Sequence, residues 1–293
     1  MPLLAAVAAI LIWSSLATLG VSLSGAPPLF ITGAGLLIGG CISMPWWRHW
    51  SRDWRVHAVG VYGLFAYHLL YILALRNAPP VSANLIHYVW PLLIVLMAPL
   101  ASRRFRLTRM HMVAAIAGFL GVALAAGAGT SSRDVGWHLG YALALLAAVV
   151  WASYSVAQTA LARASAADVG PGCLAAGALA LLGHAMFEPA ASLSAGDAAR
   201  VIALGLGPMG CAFYLWSYAL RRGDPRLIGV LANATPLQST TMLVLVGGSQ
   251  ITPSLMASLA LVSCASLAVF ASSHYPRRPL AMASAADAEV AEP

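Results

Sequence analysis

Apolar runs of about twenty residues, separated by short polar or proline- and glycine-rich breaks, cover the chain almost from its start to residue 272. A helix crosses a hydrocarbon core of roughly 30 Å with about 20 apolar residues. Divided on that basis, the chain predicts ten spans, at about 2–22, 27–45, 56–76, 80–101, 109–129, 137–162, 170–188, 198–220, 226–248 and 253–272. The breaks fall at Gly25-Ala26-Pro27-Pro28, Pro79-Pro80, Gly170-Pro171-Gly172, Gly223-Asp224-Pro225 and Thr252-Pro253, where residues that end helices cluster. The first run is apolar from Pro2 with no basic segment ahead of it, so it predicts a transmembrane helix and not a cleaved signal. After Pro276 the chain turns small and polar, which predicts a disordered tail over 276–293.

One stretch occurs twice. Ala74 to Leu93 and Ala219 to Gln238 align at a shift of 145 residues without a gap, with Ala, Leu, Arg, two prolines and a Leu in register. Ile12-Trp13-Ser14-Ser15 of the first span likewise has a counterpart in Val150-Trp151-Ala152-Ser153 of the sixth. The repeat unit is therefore five helices, over 1–130 and 137–273. An odd number of spans inverts the second copy. The predicted fold is all-α: a polytopic membrane protein of ten transmembrane helices in a five-plus-five inverted repeat, an architecture suited to alternating access around a midplane site. Pro91 and Pro236 lie inside the apolar runs of the two copies. A mid-helix proline frees a backbone carbonyl that lipid cannot satisfy, so both are expected to kink their helices in the protein interior and to serve gating.

Composition narrows the class. The chain is 60% hydrophobic and 9% charged, with a mean hydropathy of +0.82. The formal charge of +7 comes from arginines lying between apolar runs, not along one face, which argues against a nucleic-acid partner. With ten spans the termini share a side, and 13 of the 16 basic residues fall on it; only Arg76, Arg133 and Arg200 lie opposite. The positive-inside rule then places both termini in the cytoplasm. Trp46, Trp47, Trp50 and Trp54 beside the first basic loop fit an interfacial belt. Cys41, Cys173, Cys211 and Cys264 each stand alone in apolar sequence, so no disulfide, metal or other cofactor is expected. The chain is read as a monomer.

The candidate chemistry lies in the polar residues of the spans. Asp53, Asp134, Asp168, Asp197 and Asp224 are in loops, three acids are in the tail, and Glu188 ends the seventh span, so no carboxylate is placed for a mid-membrane proton relay. His68, His87 and His184 remain. An intramembrane enzyme built on His87 or His184 would lack an HExxH or GxSxG motif and an acid partner. His68 shares a helical face with Tyr71, and Asn84, His87, Tyr88 and Pro91 share another. Such stripes either tie helices together by hydrogen bonds or line a cavity. Asn233 and Gln238 flank Pro236, and Trp151 and Tyr154 lie on the sixth span. Aromatic faces with uncharged donors and acceptors suit a small zwitterion bearing an apolar or aromatic side chain. His68, Tyr71, Asn84, Tyr88, Trp151, Tyr154, Asn233 and Gln238 are therefore the candidate lining.

The inverted five-helix repeat and the ALRxxxP segment opening the fourth and ninth spans resemble the drug/metabolite transporter superfamily with its paired EamA-type repeats. His87-Tyr88-Val89-Trp90-Pro91-Leu92-Leu93 is similar to the Asn-Tyr-Leu-Trp-Pro segment of its YddG-type aromatic amino acid exporters, with His87 where that motif more often has Asn. The resemblance implies an exporter of aromatic and other, mostly neutral, amino acids, holding substrate between the repeats. It adds Trp90 to the lining and supports Trp151. The rival is a drug or metabolite exporter, for example of methyl viologen; a cation would ordinarily want a membrane acid.

Overall fold

The computed structural model describes residues 1–101, 109–127, 135–161, 166–222, 231, 234–247 and 251–274, and the regular structure among them is helical. In chain order the helices are α1 (Pro2–Ser14), α2 (Leu16–Ser22), α3 (Pro28–Cys41), α4 (Trp54–Asn77), α5 (Pro80–His87), α6 (Trp90–Ala101) and α7 (Arg109–Gly127). There follow α8 (Val135–Ala160), α9 (Val169–Phe187), α10 (Ala195–Leu206), α11 (Ala212–Arg222), α12 (Thr235–Gly247) and α13 (Pro253–His274). Among the described residues, Pro2–Ser22, Trp54–Asn77, His138–Gln158, Val169–Phe187 and Ala195–Trp216 are each long and apolar enough to cross a membrane. The chain is a multi-pass membrane protein. The start of the expected ninth span, Asn233 and the tail over 276–293 lie outside the described residues.

Helix starts follow from local chemistry. Proline opens α3, α5 and α13, where its missing N–H would have had no partner anyway. Asp53 caps α4 by accepting from the Arg55 amide at 2.9 Å. Ser194 and Asp197 cap α10 reciprocally, each side chain accepting from the other's backbone N–H. The cap of α3 comes from elsewhere. Glu188, just past the end of α9, accepts from the Leu29 and Phe30 amides at 2.9 and 3.2 Å, and His184 lies 2.9 Å from the same carboxylate. A carboxylate at a helix N-terminus meets both the orphan amides and the positive end of the helix dipole. His184 thus has an acid partner, which sequence reading did not expect because Glu188 sits at a span end.

Among the described residues the first, fourth, eighth and ninth expected spans are interrupted. The first breaks at Ser15, where Ser14 and Ser15 hydroxyls donate to the carbonyls of Ile10 and Ile12 at 2.8 and 2.6 Å, a back-bonding that bends helices. The eighth contains a wide π turn, Gly207–Cys211, around Pro208. The fourth is two helices, α5 and α6. Pro91 is the second residue of α6 and Pro236 the second of α12, so neither kinks a continuous helix; each starts one, where proline costs no hydrogen bond. The preceding turns match at the 145-residue shift. Val89 donates to Ile86 and Leu93 to Val89 in one copy; Ala234 donates to Leu231 and Gln238 to Ala234 in the other.

The helices associate in antiparallel pairs. Along α3 and α9, a Cβ on Gly33 would meet Leu181 at 2.7 Å, one on Gly40 would meet Leu174 at 2.7 Å and one on Gly177 would meet Leu37 at 2.8 Å. Leucines of each helix therefore enter notches that glycines leave in the other. Both ends of this pair are tied: Glu188 holds the start of α3, and the Asp168 carboxylate at the start of α9 accepts from the Ser51 amide beyond α3 at 2.5 Å. The α4–α8 pair has Tyr62 on Ser153 at one level and Ala78 against Gly140 at the other. The α7–α13 pair meets at Gly118 by Ala265 and Gly121 by Val262. In α1–α11, Ala6 clusters with Ala219 and Trp13 packs on Phe213. Arg76, near the end of α4, donates to the Leu23 and Ala26 carbonyls that follow α2, so α2 and α4 finish at one end of the molecule. Being antiparallel to α1, α11 finishes at the other.

Candidate functional site

Buried polar side chains converge where α4, α5 and α12 meet. The Tyr71 hydroxyl donates to Asn84 Oδ1 at 2.5 Å, and Asn84 Nδ2 donates to Ser239 Oγ at 3.1 Å. Asn84 is fully buried and Ser239 nearly so, and the Tyr88 hydroxyl also faces Ser239. This chain of neutral groups joins α4 and α5, from the first half of the sequence, to α12 from the second. Beside it the Tyr67 hydroxyl lies 3.3 Å from His87 Nε2, and the Tyr71 ring stacks on the Tyr67 ring with centroids 5.9 Å apart.

The two histidines are held differently. His68 Nδ1 lies 2.7 Å from the Leu64 carbonyl, which can only accept, so Nδ1 carries the proton and the neutral ring keeps an acceptor at Nε2. That Nε2 is sealed from solvent and has no partner among the described residues, and the same holds for His87 Nδ1. Buried nitrogens left unpaired cost about 1–3 kcal/mol each unless something bonds them.

Aromatic rings surround this polar chain. Trp151 lies 4.8 Å from Tyr67, 5.4 Å from Tyr154, 5.8 Å from Phe213 and 6.4 Å from Trp90, all between ring centroids. Tyr154 accepts from Gln158 at 2.9 Å and fills the gap left by Gly63 on α4. On the far side, Gln238 Oε1 accepts from the Ser14 hydroxyl at 3.2 Å.

The structure thus brings His68, Tyr71, Asn84, Tyr88, Trp90, Trp151 and Tyr154 into one connected group, while the Gln238 side chain bonds to Ser14 apart from it and Asn233 lies outside the described residues. Sequence reading missed Tyr67, which contacts His68, Tyr71, His87 and Trp151 and is the hub of the group. It also missed Phe213 and Ser14. Phe213 was within reach, because extending the 145-residue shift back along α4 places it on His68. Ser14 carried no such signal.

A bundle of apolar helices enclosing an uncharged polar and aromatic centre defines a membrane protein built to handle a small polar-apolar molecule. The chain belongs to the EamA-like transporter family, whose model matches it twice, over residues 1–127 and 138–271. It is therefore a transporter and not an enzyme. It is similar to a protein of Ancylobacter novellus described as "Aromatic amino acid exporter YddG", 40% identical over 248 residues that cover 82% of this chain and 86% of the relative. A solved crystal structure, 37% identical, superposes with a TM-score of 0.72 over 92% of this chain and 97% of its own.

Proposed function

We propose that the protein exports aromatic and other, mostly neutral, amino acids across the bacterial inner membrane by alternating access, with both termini in the cytoplasm. The observation that carries this reading is the Tyr71–Asn84–Ser239 chain, an uncharged hydrogen-bonded relay between the two halves of the sequence, walled by Tyr67, Trp90 and Trp151. The ammonium and carboxylate of a zwitterion together carry no net charge, so amides and hydroxyls can solvate both without a buried counter-ion. Ring faces take an aromatic or aliphatic side chain. The name of the Ancylobacter relative supports the same substrate class.

Ten spans arranged as two inverted units, over 1–130 and 137–273, complete the proposal. The matched turns before Pro91 and Pro236 support the duplication, as do the antiparallel α3–α9 and α7–α13 pairs, each made of corresponding helices. The Asn84–Ser239 bond ties one unit to the other. Its exchange for bonds to substrate is the step by which binding loosens the two units.

Efflux of radiolabelled phenylalanine from proteoliposomes tests the reading, with methyl viologen and an imposed pH gradient as comparisons. Phenylalanine efflux that ignores the gradient is the expected result. Efflux of methyl viologen alone would overturn it in favour of a cation exporter.

A further inference from the structure

Six rings make a continuous ladder through the molecule. From Tyr71 the centroid spacings are 5.9 Å to Tyr67, 4.8 Å to Trp151, 5.8 Å to Phe213, 5.7 Å to Trp13 and 5.3 Å to Trp216. Its ends are repeat-related: Tyr71 and Trp216 differ by the same 145 residues that align the duplicated stretch. Tyr71 lies six residues before the end of α4 and Trp216 six before the end of α11. These helices finish at opposite ends of the molecule, so at 1.5 Å per residue each ring stands about 9 Å inside its own face. The ladder runs from the outer third of the membrane to the inner third.

Packing alone leaves one feature of the inner end unexplained. The indole N–H groups of Trp13 and Trp216 find no acceptor among the described residues, yet neither is among the sealed, unpartnered atoms, a set in which Trp50 is the one tryptophan. Both rings are only half-buried, although Trp13 is mid-span and Ala6 and Ala219, against which Trp216 packs, are fully buried. An unpaired N–H against hydrocarbon is unfavourable, so these donors are placed for a polar guest.

Resting on the amino acid reading above, we infer that Trp13 and Trp216 form a second, cytoplasm-facing subsite, where the substrate ring stacks and its carboxylate meets the indole N–H groups before it passes along the ladder to Asn84. The site would take aromatic and large aliphatic amino acids and discriminate against small ones.

Phenylalanine transport measured separately in inside-out and right-side-out membrane vesicles tests this. Trp216→Ala should raise the half-saturating phenylalanine concentration about tenfold when substrate is offered on the cytoplasmic face and leave the outer-face value unchanged, while Trp216→Phe should keep both within about threefold of the wild type. Normal outer-face transport by the alanine variant also shows that it folds. Equal shifts on the two faces, a larger shift on the outer face or no shift overturns the subsite and leaves the amino acid reading standing. A wild-type protein that moves no phenylalanine overturns both.

Discussion

The wall of the site on α4 and the wall on α11 occupy repeat-related positions and are built to different chemistry. Tyr67, His68 and Tyr71 of α4 correspond, at the 145-residue shift, to Ala212, Phe213 and Trp216 of α11, of which Phe213 faces Trp151 at the site and Trp216 lies beyond it on Trp13. On α4 every ring has a polar atom, and two of the three bond out to α5, Tyr67 to His87 and Tyr71 to Asn84. On α11 two of the three rings are kept, as Phe213 and Trp216, Ala212 has none, and the hydroxyl and imidazole groups are gone. The fold therefore needs bulk at both places, since both helices pack on Trp151 or Trp13. The hydroxyl and imidazole groups are confined to α4. A zwitterion held beside Asn84 would meet the α4 wall with its head and Phe213 with its side chain.

Breaking the polar wall should have the largest effect. Asn84→Leu keeps the branched shape but orphans the Tyr71 hydroxyl at about 1–3 kcal/mol and cuts Ser239 off from α5's amide, and phenylalanine efflux should fall about a hundredfold, read in proteoliposomes alongside a thermal unfolding curve that shows folded protein. Trp151→Ala removes the ring shared by both walls and should lower efflux at least about tenfold. His68→Phe copies the α11 wall onto α4. It should cost efflux several-fold, about 1 kcal/mol, whereas Phe213→Leu should cost less than that; the reverse ranking would break the comparison.

Away from the walls the effects become structural. Glu188→Gln weakens the cap of α3 and its contact with His184, and should lower the unfolding temperature by a few degrees, about 1 kcal/mol, with efflux kept. Asp197→Asn should do least. The Ser194 hydroxyl bonded to the Asp197 carboxylate holds its pKa below the ordinary 3.8. A depressed carboxylate adds stability above the ordinary value and loses it as pH falls through the depressed one. The difference between wild type and Asp197→Asn unfolding curves should therefore be present at neutral pH and fade as the pH is lowered below 3.8.

The fold was legible where the physics is local. Apolar run length located the helices, and Pro28, Pro80 and Pro253 marked starts that the structure has. Pro91 was misjudged, because a proline in an apolar run looks the same whether it kinks one helix or opens a second; the Tyr88–Val89 turn that decides it leaves no compositional mark. At the site, Asn84, Tyr88 and Tyr71 stood out because polar groups in lipid are costly. Tyr67 did not, since its importance comes from the neighbours that α5 and α8 bring to it. Glu188 was set aside as a span-end acid, and its use depends on α3 arriving beside it, a tertiary fact.

The interlocked seam between α3 and α9 restricts how such a molecule can move. With leucines seated at Gly33, Gly40 and Gly177, sliding one helix along the other by a single residue would drive those side chains onto backbone. The seam has no slip direction, and its ends are pinned by Glu188 and Asp168. The two helices therefore behave as one beam. Broken ladders lie elsewhere: the Ser15 break and the Gly207–Cys211 turn on the α1–α11 side, which faces the beam through Met209 and Gly39, and the Tyr88–Val89 turn between α5 and α6, and bending is left to them.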